Sequence, residues 1–538
     1  MNGVRAIGGA GAFGLCMAFG LILGAATANA QPQADVLIRG GLIYDGSTAR
    51  PFTGDVAIAG DKILYVGPHA TLSARSVIDA HGMIVAPGFI DPHTHADTFL
   101  NSGDRAARAN PAWTMQGVST VFLGVDGNGT PDLKAAFGRW RQQGIGTNVV
   151  SYVGFGAARQ AVLGNSARQP TPSELDREKA LITRGMCQGA IGLSAGLFYA
   201  PQSFAKTEEV IALAKEAAAR GGIYDTHQRD EASYSIGLLA STREVLRIGK
   251  EAGLPVQISH IKTLGHDVWG QSVPVIALID KARASGQNVT ANVYPWLASF
   301  TWLDAALVPR WVSDGGTKAM LKRLQDKTLL PRIRREMAAN LDRRGGAGAI
   351  LLNPANAGRD AWSGKYLSAI AGEWKLDPVE AAIRILRQSP ERPGIVSFNI
   401  SEGDLENFMK QPWAVTSSDG IAGHPRQYAT FPTAYRVYVR QKYVIDTAFF
   451  IRHSTGLTAD IFKLDRRGYL RPGYYADVLV FDPKTYRPMA DYAHPAVLSA
   501  GVRTLFINGV AAVDNGKPTG ALAGRPLPHV PPPNTCPS

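Results

Sequence analysis

The sequence predicts an α/β protein: a (β/α)8 TIM-like barrel, a small β-sandwich built from both chain ends, and a helical insertion near the barrel mouth. Three observations carry that reading. Through the middle of the chain, apolar runs that each stop at a polar residue alternate with amphipathic helical stretches. Short alternating strands divided by Gly, Asp and Asn turns occur at both ends. The segment "GFIDPHTHAD" sets Asp91, His93 and His95 at every second position behind an apolar run, so an extended chain projects all three from one face.

Residues 1–30 hold one positive charge, Arg5, then a Gly/Ala/Leu/Phe-rich stretch from Gly8 to Ala26, then Ala28-Asn29-Ala30. That order reads as a secretory signal cut after Ala30, and the expected location is secreted or periplasmic. Cys16 lies inside the apolar run rather than at the cut, which argues against a lipid anchor. No later stretch approaches the ~18–20 apolar residues of a bilayer span, so no stable membrane insertion is expected after signal removal. Export leaves Cys187 and Cys536 where a disulfide is permitted, and the sequence leaves their pairing open.

Residues 31–87, with "ADVLIRGGLIYDGS", "GDVAIAGDKILYVG" and "SVIDAHGMIVAPG", form the first part of the sandwich. The same texture returns over 453–525 in "GYYADVLVFDP" and "VRTLFINGVAAVDNGKP", the second part. The tail, 526–538, is Pro-rich and reads as disordered. Between the sandwich halves, residues 88–452 read as the barrel. Its strand-like runs include "VSTVFLGVD", "NVVSYVGFG", "GAIGLSAG", "GGIYDTH", "LPVQISH", "QNVTANVYP", "GIVSFNI" and "WAVTSSDG". Helices such as "KTEEVIALAKEAAARG" and "LLASTREVLRIGKEAG" keep apolar residues three and four apart and close on Gly. From about 300 to 346 this rhythm gives way to helix-rich, charged sequence, the expected insertion. The net charge of +12 could favour nucleic acid, but Lys and Arg are scattered and the densest cluster, Arg332 to Arg344, is interrupted by acids and apolar residues. A solvated surface and no nucleic-acid partner are the reading.

In such a barrel chemistry collects where strands end, and the strand-end polar residues are His93, His95, Asp126, His227, His260 and Asp419. Four imidazoles and carboxylates converging on one mouth suit a borderline cation such as Zn²⁺. By composition alone, Asp-x-His-x-His is expected roughly 0.01 times in a chain of this length, so the aspartate lends the motif its weight.

These segments, with "GLSAGLFYAPQSFAKTEEV", "THQRDE", "LPVQISHIK", "VYPWLAS", "SSDG" and "HPRQYATFP" in that order, resemble the D-aminoacylase (N-acyl-D-amino-acid deacylase) branch of the amidohydrolase superfamily, over nearly the whole chain from Asp35 to Arg525. The resemblance implies a zinc-bearing barrel flanked by a sandwich from both ends. It implies metal ligation by His227 and His260, with His93 and His95 at a second position, and one or two Zn²⁺ ions or another divalent metal. It implies that Asp419 takes a proton from the attacking water and passes it to the leaving nitrogen. Lys262, Tyr294 and Arg426 would grip the carboxylate of a small anionic N-acyl amino acid or dipeptide, and Tyr199 would line the acyl group. Two departures stand out. Where the branch carries a cysteine ligand in Gly-Asn-Cys-Gly, this chain reads Gly124-Val125-Asp126-Gly127, which points to a harder, carboxylate-bridged centre. Where the branch carries histidine, this chain has Phe155.

The expected reaction is therefore metal-dependent cleavage of an amide C–N bond in an N-acyl amino acid, of the D series by resemblance. A dipeptidase, cyclic-imide hydrolase or other amidase of the same superfamily is the alternative. Two further rivals are a serine hydrolase built on Ser194 in "GLSAG" with Asp419 and His453 following, and a non-catalytic envelope binding protein on the same scaffold.

Overall fold

The structure is a computed structural model describing residues 34–356 and 360–537; the expected signal sequence lies outside the described residues. Both chain ends build one nine-stranded sheet. Its N-terminal strands are Ala34–Ile43, Phe52–Ala59, Lys62–Gly67, Ala74–Asp79 and Ile84–Pro87. Its C-terminal strands are Val478–Phe481, Val502–Ile507, Val510–Asp514 and Lys517–Pro518. The seam is the antiparallel pairing of Val478–Phe481 with Ile84–Pro87, and Ile38, Ile58, Val85, Val480 and Phe506 share the core that it closes. The last two hairpins turn on Asn508-Gly509 and Asn515-Gly516, all four residues at positive φ. That is the type I′ turn which Asn-Gly favours, because its twist matches that of the strands.

Eight parallel strands make the barrel: Phe89–Asp91, Val118–Leu123, Asn148–Ser151 running on into Val153–Gly154, Gly192–Gly196, Ile223–His227, Val256–Ile258, Val289–Val293 and Ala414–Thr416. Their residues are buried throughout, as expected for a parallel sheet covered on its outer face and packed within. The ring closes between its first and last strands, where Asp419 N–H donates to the His93 carbonyl (2.9 Å) and His95 N–H to that of Gly420 (3.0 Å). Helices Thr207–Ala218 and Leu238–Ala252 lie where the sequence puts them, and Gly253 ends the second in the left-handed conformation.

Four boundaries differ from the sequence reading. The insertion runs from Ala298 to Phe398 rather than over 300–346, and it is not only helical. Ala298–Trp302, Ile350–Leu352 and Gly394–Phe398 form a three-stranded antiparallel sheet with its own core around Leu303, Ile333, Met337 and Ile385. "GIVSFNI" is accordingly an insertion strand and not a barrel strand. A short apolar run specifies burial but not its partner, and pairing decides the sheet. Residues 453–461 belong to the barrel, since His453 Nδ1 lies 2.5 Å from the Ala414 carbonyl and Ser454 bonds Thr416. The tail has a defined path: Leu527 N–H donates to Val149 O and His529 N–H to Gly189 O, and Cys536 is disulfide-bonded to Cys187 with their Cα atoms 5.7 Å apart. Its composition describes a chain without partners; the barrel floor supplies them.

A candidate metal centre at the barrel mouth

All six strand-end residues meet. His93 Nε2 lies 3.5 Å from Asp126 Oδ1 and 3.7 Å from Asp419 Oδ1. His95 Nε2 lies 3.5 Å from Asp126 Oδ2 and 3.3 Å from Asp419 Oδ1. His260 Nε2 and His227 Nδ1 approach Asp126 Oδ1 at 3.7 and 3.9 Å. Asp126 thus stands among four imidazoles, one oxygen toward His93, His227 and His260 and the other toward His95. Ligand-capable atoms of His93, His95 and Asp126, and of Asp126, His227 and His260, fall within 4.8 Å of one another.

The backbone is bent to achieve this. Asp126, His260 and Asp419 all have positive φ (55°, 35° and 48°), a region that costs a non-glycine residue about 1–2 kcal/mol and concentrates at functional sites. The Asp126 turn is held from outside. The Ser194 hydroxyl donates to the Gly124 carbonyl (2.5 Å) and accepts from Gly127 N–H (3.1 Å). Gln202 donates to the Asp126 carbonyl (2.9 Å). Gly127 holds φ +77°, and a Cβ there would lie 2.1 Å from the Gln202 Oε1 atom, so a side chain would strain the turn and displace Gln202. Ser194 is therefore a turn clamp rather than a nucleophile, and His453 sits elsewhere, stacked on Phe449 at 3.6 Å.

Several of these buried groups lack partners: both His93 nitrogens, Asp126 Oδ1 and His227 Nδ1. Buried polar atoms left bare are costly, and here the bare atoms share one focus. Nitrogen and carboxylate donors arranged this way suit a divalent cation. Burial pushes the carboxyls of Asp126 and Asp419 up, but their neighbours outweigh it. The His93 ring holds Asp126 well below the ordinary carboxylate range, and the Arg426 guanidinium does the same for Asp419. Arg426 Nη1 lies 2.8 Å from Asp419 Oδ2, which leaves Oδ1 facing the imidazoles.

A cleft of about 580 Å³ opens above the centre, roofed by the insertion. Tyr199, Tyr294 and Arg426 line it as expected; the Tyr294 hydroxyl and Arg426 Nε are buried without partners. Lys262 lines it too, but its ammonium is enclosed by Glu231 Oε1 (2.7 Å), the His260 carbonyl (2.8 Å) and His260 Nδ1 (2.7 Å). Lys262 thus braces His260 from the cleft wall, beside the grip on substrate expected of it. Phe155 is fully buried in the barrel core and does not reach the cleft.

Sequence reasoning missed three side chains. Glu231, 1 % exposed, stands behind two imidazoles, 3.1 Å from His260 Nδ1 and 3.6 Å from His227 Nε2; its signal was the acidic end of "THQRDE", four residues past His227. Arg310 and Arg344 bring two guanidiniums to the cleft wall from the insertion. Arg310 lies 4.0 Å over the Phe198 ring and donates to the Ala305 carbonyl, while Arg344 donates to the Tyr234 hydroxyl. Among the described residues neither forms an ion pair with a carboxylate.

The sequence profile of the amidohydrolase family matches residues 76–275. A D-aminoacylase of Alcaligenes xylosoxydans xylosoxydans is 32% identical over 93% of this chain and 98% of its own length. An N-acyl-D-glutamate deacylase of the same organism is 29% identical over 91% and 96%. A crystal structure of D-aminoacylase superposes with a TM-score of 0.78 at 30% identity, covering 92% of this chain and all of that one. An N-acyl-D-glutamate deacylase from Bordetella bronchiseptica, complexed with zinc and a phosphonate mimic of the tetrahedral intermediate, superposes at 0.76 with 28% identity, covering 92% of this chain and all of that one.

Proposed function

The chain belongs to the D-aminoacylase branch of the amidohydrolase family, and from that premise we propose that it hydrolyses the amide bond of N-acyl-D-amino acids, with Asp419 as the proton-transfer group. It is a metal-dependent enzyme, and the single observation that carries the assignment of its residues is the shared focus of bare donor atoms on His93, His227 and Asp126. His93, His95, Asp126, His227 and His260 would hold one or two divalent ions, zinc foremost. When bound there, such an ion supplies Lewis acidity, making water a better nucleophile near neutral pH and polarising the amide carbonyl.

The remaining work falls to the protein. Arg426 occupies one oxygen of Asp419 and holds the carboxyl ionised, so Oδ1 faces the reaction space ready to accept a proton from water. The same oxygen then delivers that proton to the leaving nitrogen, which departs as the free amine of the amino acid. Tyr294 O–H and Arg426 Nε, both bare donors on the cleft wall, suit the substrate α-carboxylate, and Tyr199 packs beside His227 (ring centroids 4.8 Å) where it would bound the acyl group. A second, acidic feature of the substrate is favoured by Arg310, half-buried, and Arg344, buried, neither of which forms an ion pair with a protein carboxylate among the described residues.

A hydrolysis screen of paired D and L N-acyl amino acids with Zn²⁺ tests this. The expected result is cleavage of the D series, faster for N-acyl-D-glutamate or N-acyl-D-aspartate than for N-acyl-D-leucine. Asp419→Asn should lose about 10²–10⁴-fold in kcat, and Arg310→Met should erase the acidic preference. Full activity in Asp419→Asn would refute its role. Secretion or periplasmic residence is proposed on the N-terminal sequence, supported by the Cys187–Cys536 disulfide, which cytosolic thiol pools disfavour.

A further inference from the structure

One buried carboxylate has no place in the reaction just described. Asp225 lies on the strand Ile223–His227, two residues before His227, so it faces the barrel interior one layer beneath the metal centre. It is fully buried. Its Oδ2 accepts from the Ser259 hydroxyl at 2.9 Å, and its Oδ1 has no partner. Across a gap of 3.9 Å from Oδ2 stands His93 Nδ1, which is bare as well.

The two ends of the His93 ring have different prospects. Nε2 points at the focus shared with Asp126 and Asp419. If Nε2 gives its lone pair to a cation, the neutral ring must carry its proton on Nδ1, and that N–H points at Asp225. A gap of 3.9 Å is too long for a hydrogen bond, but a ring or carboxylate shift of about 1 Å would close it to bonding length. A carboxylate that accepts from a liganding imidazole fixes its tautomer and its rotation and raises its basicity. Glu231 already occupies the matching place behind His227 and His260, so the two carboxylates back different imidazoles.

We propose that Asp225 is a positioning residue that accepts the Nδ1 proton of His93 and thereby governs cation binding at the His93–His95 side of the centre, independently of the His227–His260 side braced by Glu231. This rests on the reading of His93 as a ligand. A buried carboxyl group kept for the fold would lose stability on replacement by an apolar residue, whereas one kept to orient a ligand would not, so the stability of the metal-free variant separates the two roles.

The test is zinc titration of the full-length, metal-stripped protein against a competing chelator, with cobalt(II) absorption as a second readout of ligand geometry. Asp225→Leu should weaken the cation held at the His93–His95 side about 10–100-fold while leaving the one held by His227 and His260 within twofold. The thermal midpoint of the metal-free variant should be no lower than that of the parent. Asp225→Asn, which keeps an acceptor oxygen, should recover most of the affinity, and Asp225→Ala, which keeps none, carries the test if the leucine variant fails to fold. Unchanged binding of both cations in Asp225→Leu overturns the proposal, as does equal weakening of both. Failure of the parent protein to bind zinc at all would instead strike the functional assignment on which the proposal stands.

Discussion

At the floor of the barrel, Asp477 accepts from the Asn508 amide (2.8 Å), from Asn148 Nδ2 (3.2 Å) and from Arg467. Asn508 in turn donates to Asn148 Oδ1 and to the Ala523 carbonyl, both at 2.8 Å, and accepts from Arg467. At the mouth, on the opposite ends of the same strands, His93 is bonded through neither nitrogen and Asp126 Oδ1 is bare. Both clusters are buried and both mix cations, carboxylates and amides. The floor saturates its donors and acceptors, and by doing so it ties the two-ended sheet to the third barrel strand. The mouth withholds them, and it has three left-handed non-glycine residues, Asp126, His260 and Asp419, against one, Asn508, at the floor. A saturated polar cluster is a joint, and an unsaturated one is a receptacle.

That contrast can be attacked from both sides. The largest effect belongs to the mouth: a strong chelator should abolish hydrolysis and added Zn²⁺ should restore it. The same treatment should lower the thermal midpoint, since a ligand present at 100 times its Kd stabilises by about 2.7 kcal/mol. An activity indifferent to chelation would break the comparison. Next is the floor. Asp477→Ala leaves Arg467 buried without its partner and should cost about 3–5 kcal/mol, measured by denaturant unfolding, while zinc bound per folded molecule stays at the parental value. Loss of zinc in parallel with stability would mean that the two ends are not separable.

The third effect is the staple beneath the floor. Cys187→Ser should lower stability by about 2–5 kcal/mol, again without altering kcat, and reductant should have no additional effect on the variant. The smallest concerns a buried carboxyl that belongs to neither cluster. Burial, then the neighbouring Glu209 charge, raises Glu178 from 4.5 to about 7. Because the folded value lies above the unfolded one, this group's contribution is fully present below about pH 4.5 and is lost as pH rises through about 7. Glu178→Gln should therefore raise the thermal midpoint at pH 8 by about 1–3 °C and change it little at pH 5. An equal gain at both values would point to packing instead.

Much of this molecule could be read along the chain. Period-two placement marks Asp91, His93 and His95, and apolar runs ending in His227, His260 and Asp419 mark the strand ends, because strand geometry is local and repeats every two residues. Asn508-Gly509 and Asn515-Gly516 announce their hairpins for the same local reason. The misreadings share a different character. "GIVSFNI" was legible as a strand but not as a strand of the insertion; Lys262 was legible as a cation but not as one enclosed by Glu231 and His260; the tail was legible as Pro-rich but not as a segment with the barrel floor to lie on. Each depends on a partner distant in sequence.

The sequence by itself determined the element types, the metal-suited residues and the family, since these follow from side-chain chemistry and from backbone periods that span a few residues. Only the tertiary structure decided which of those groups are already satisfied. Whether a buried nitrogen or carboxylate is bonded depends on atoms brought within about 3 Å from elements distant along the chain, and it is that accounting which separates the joint at the floor from the receptacle at the mouth.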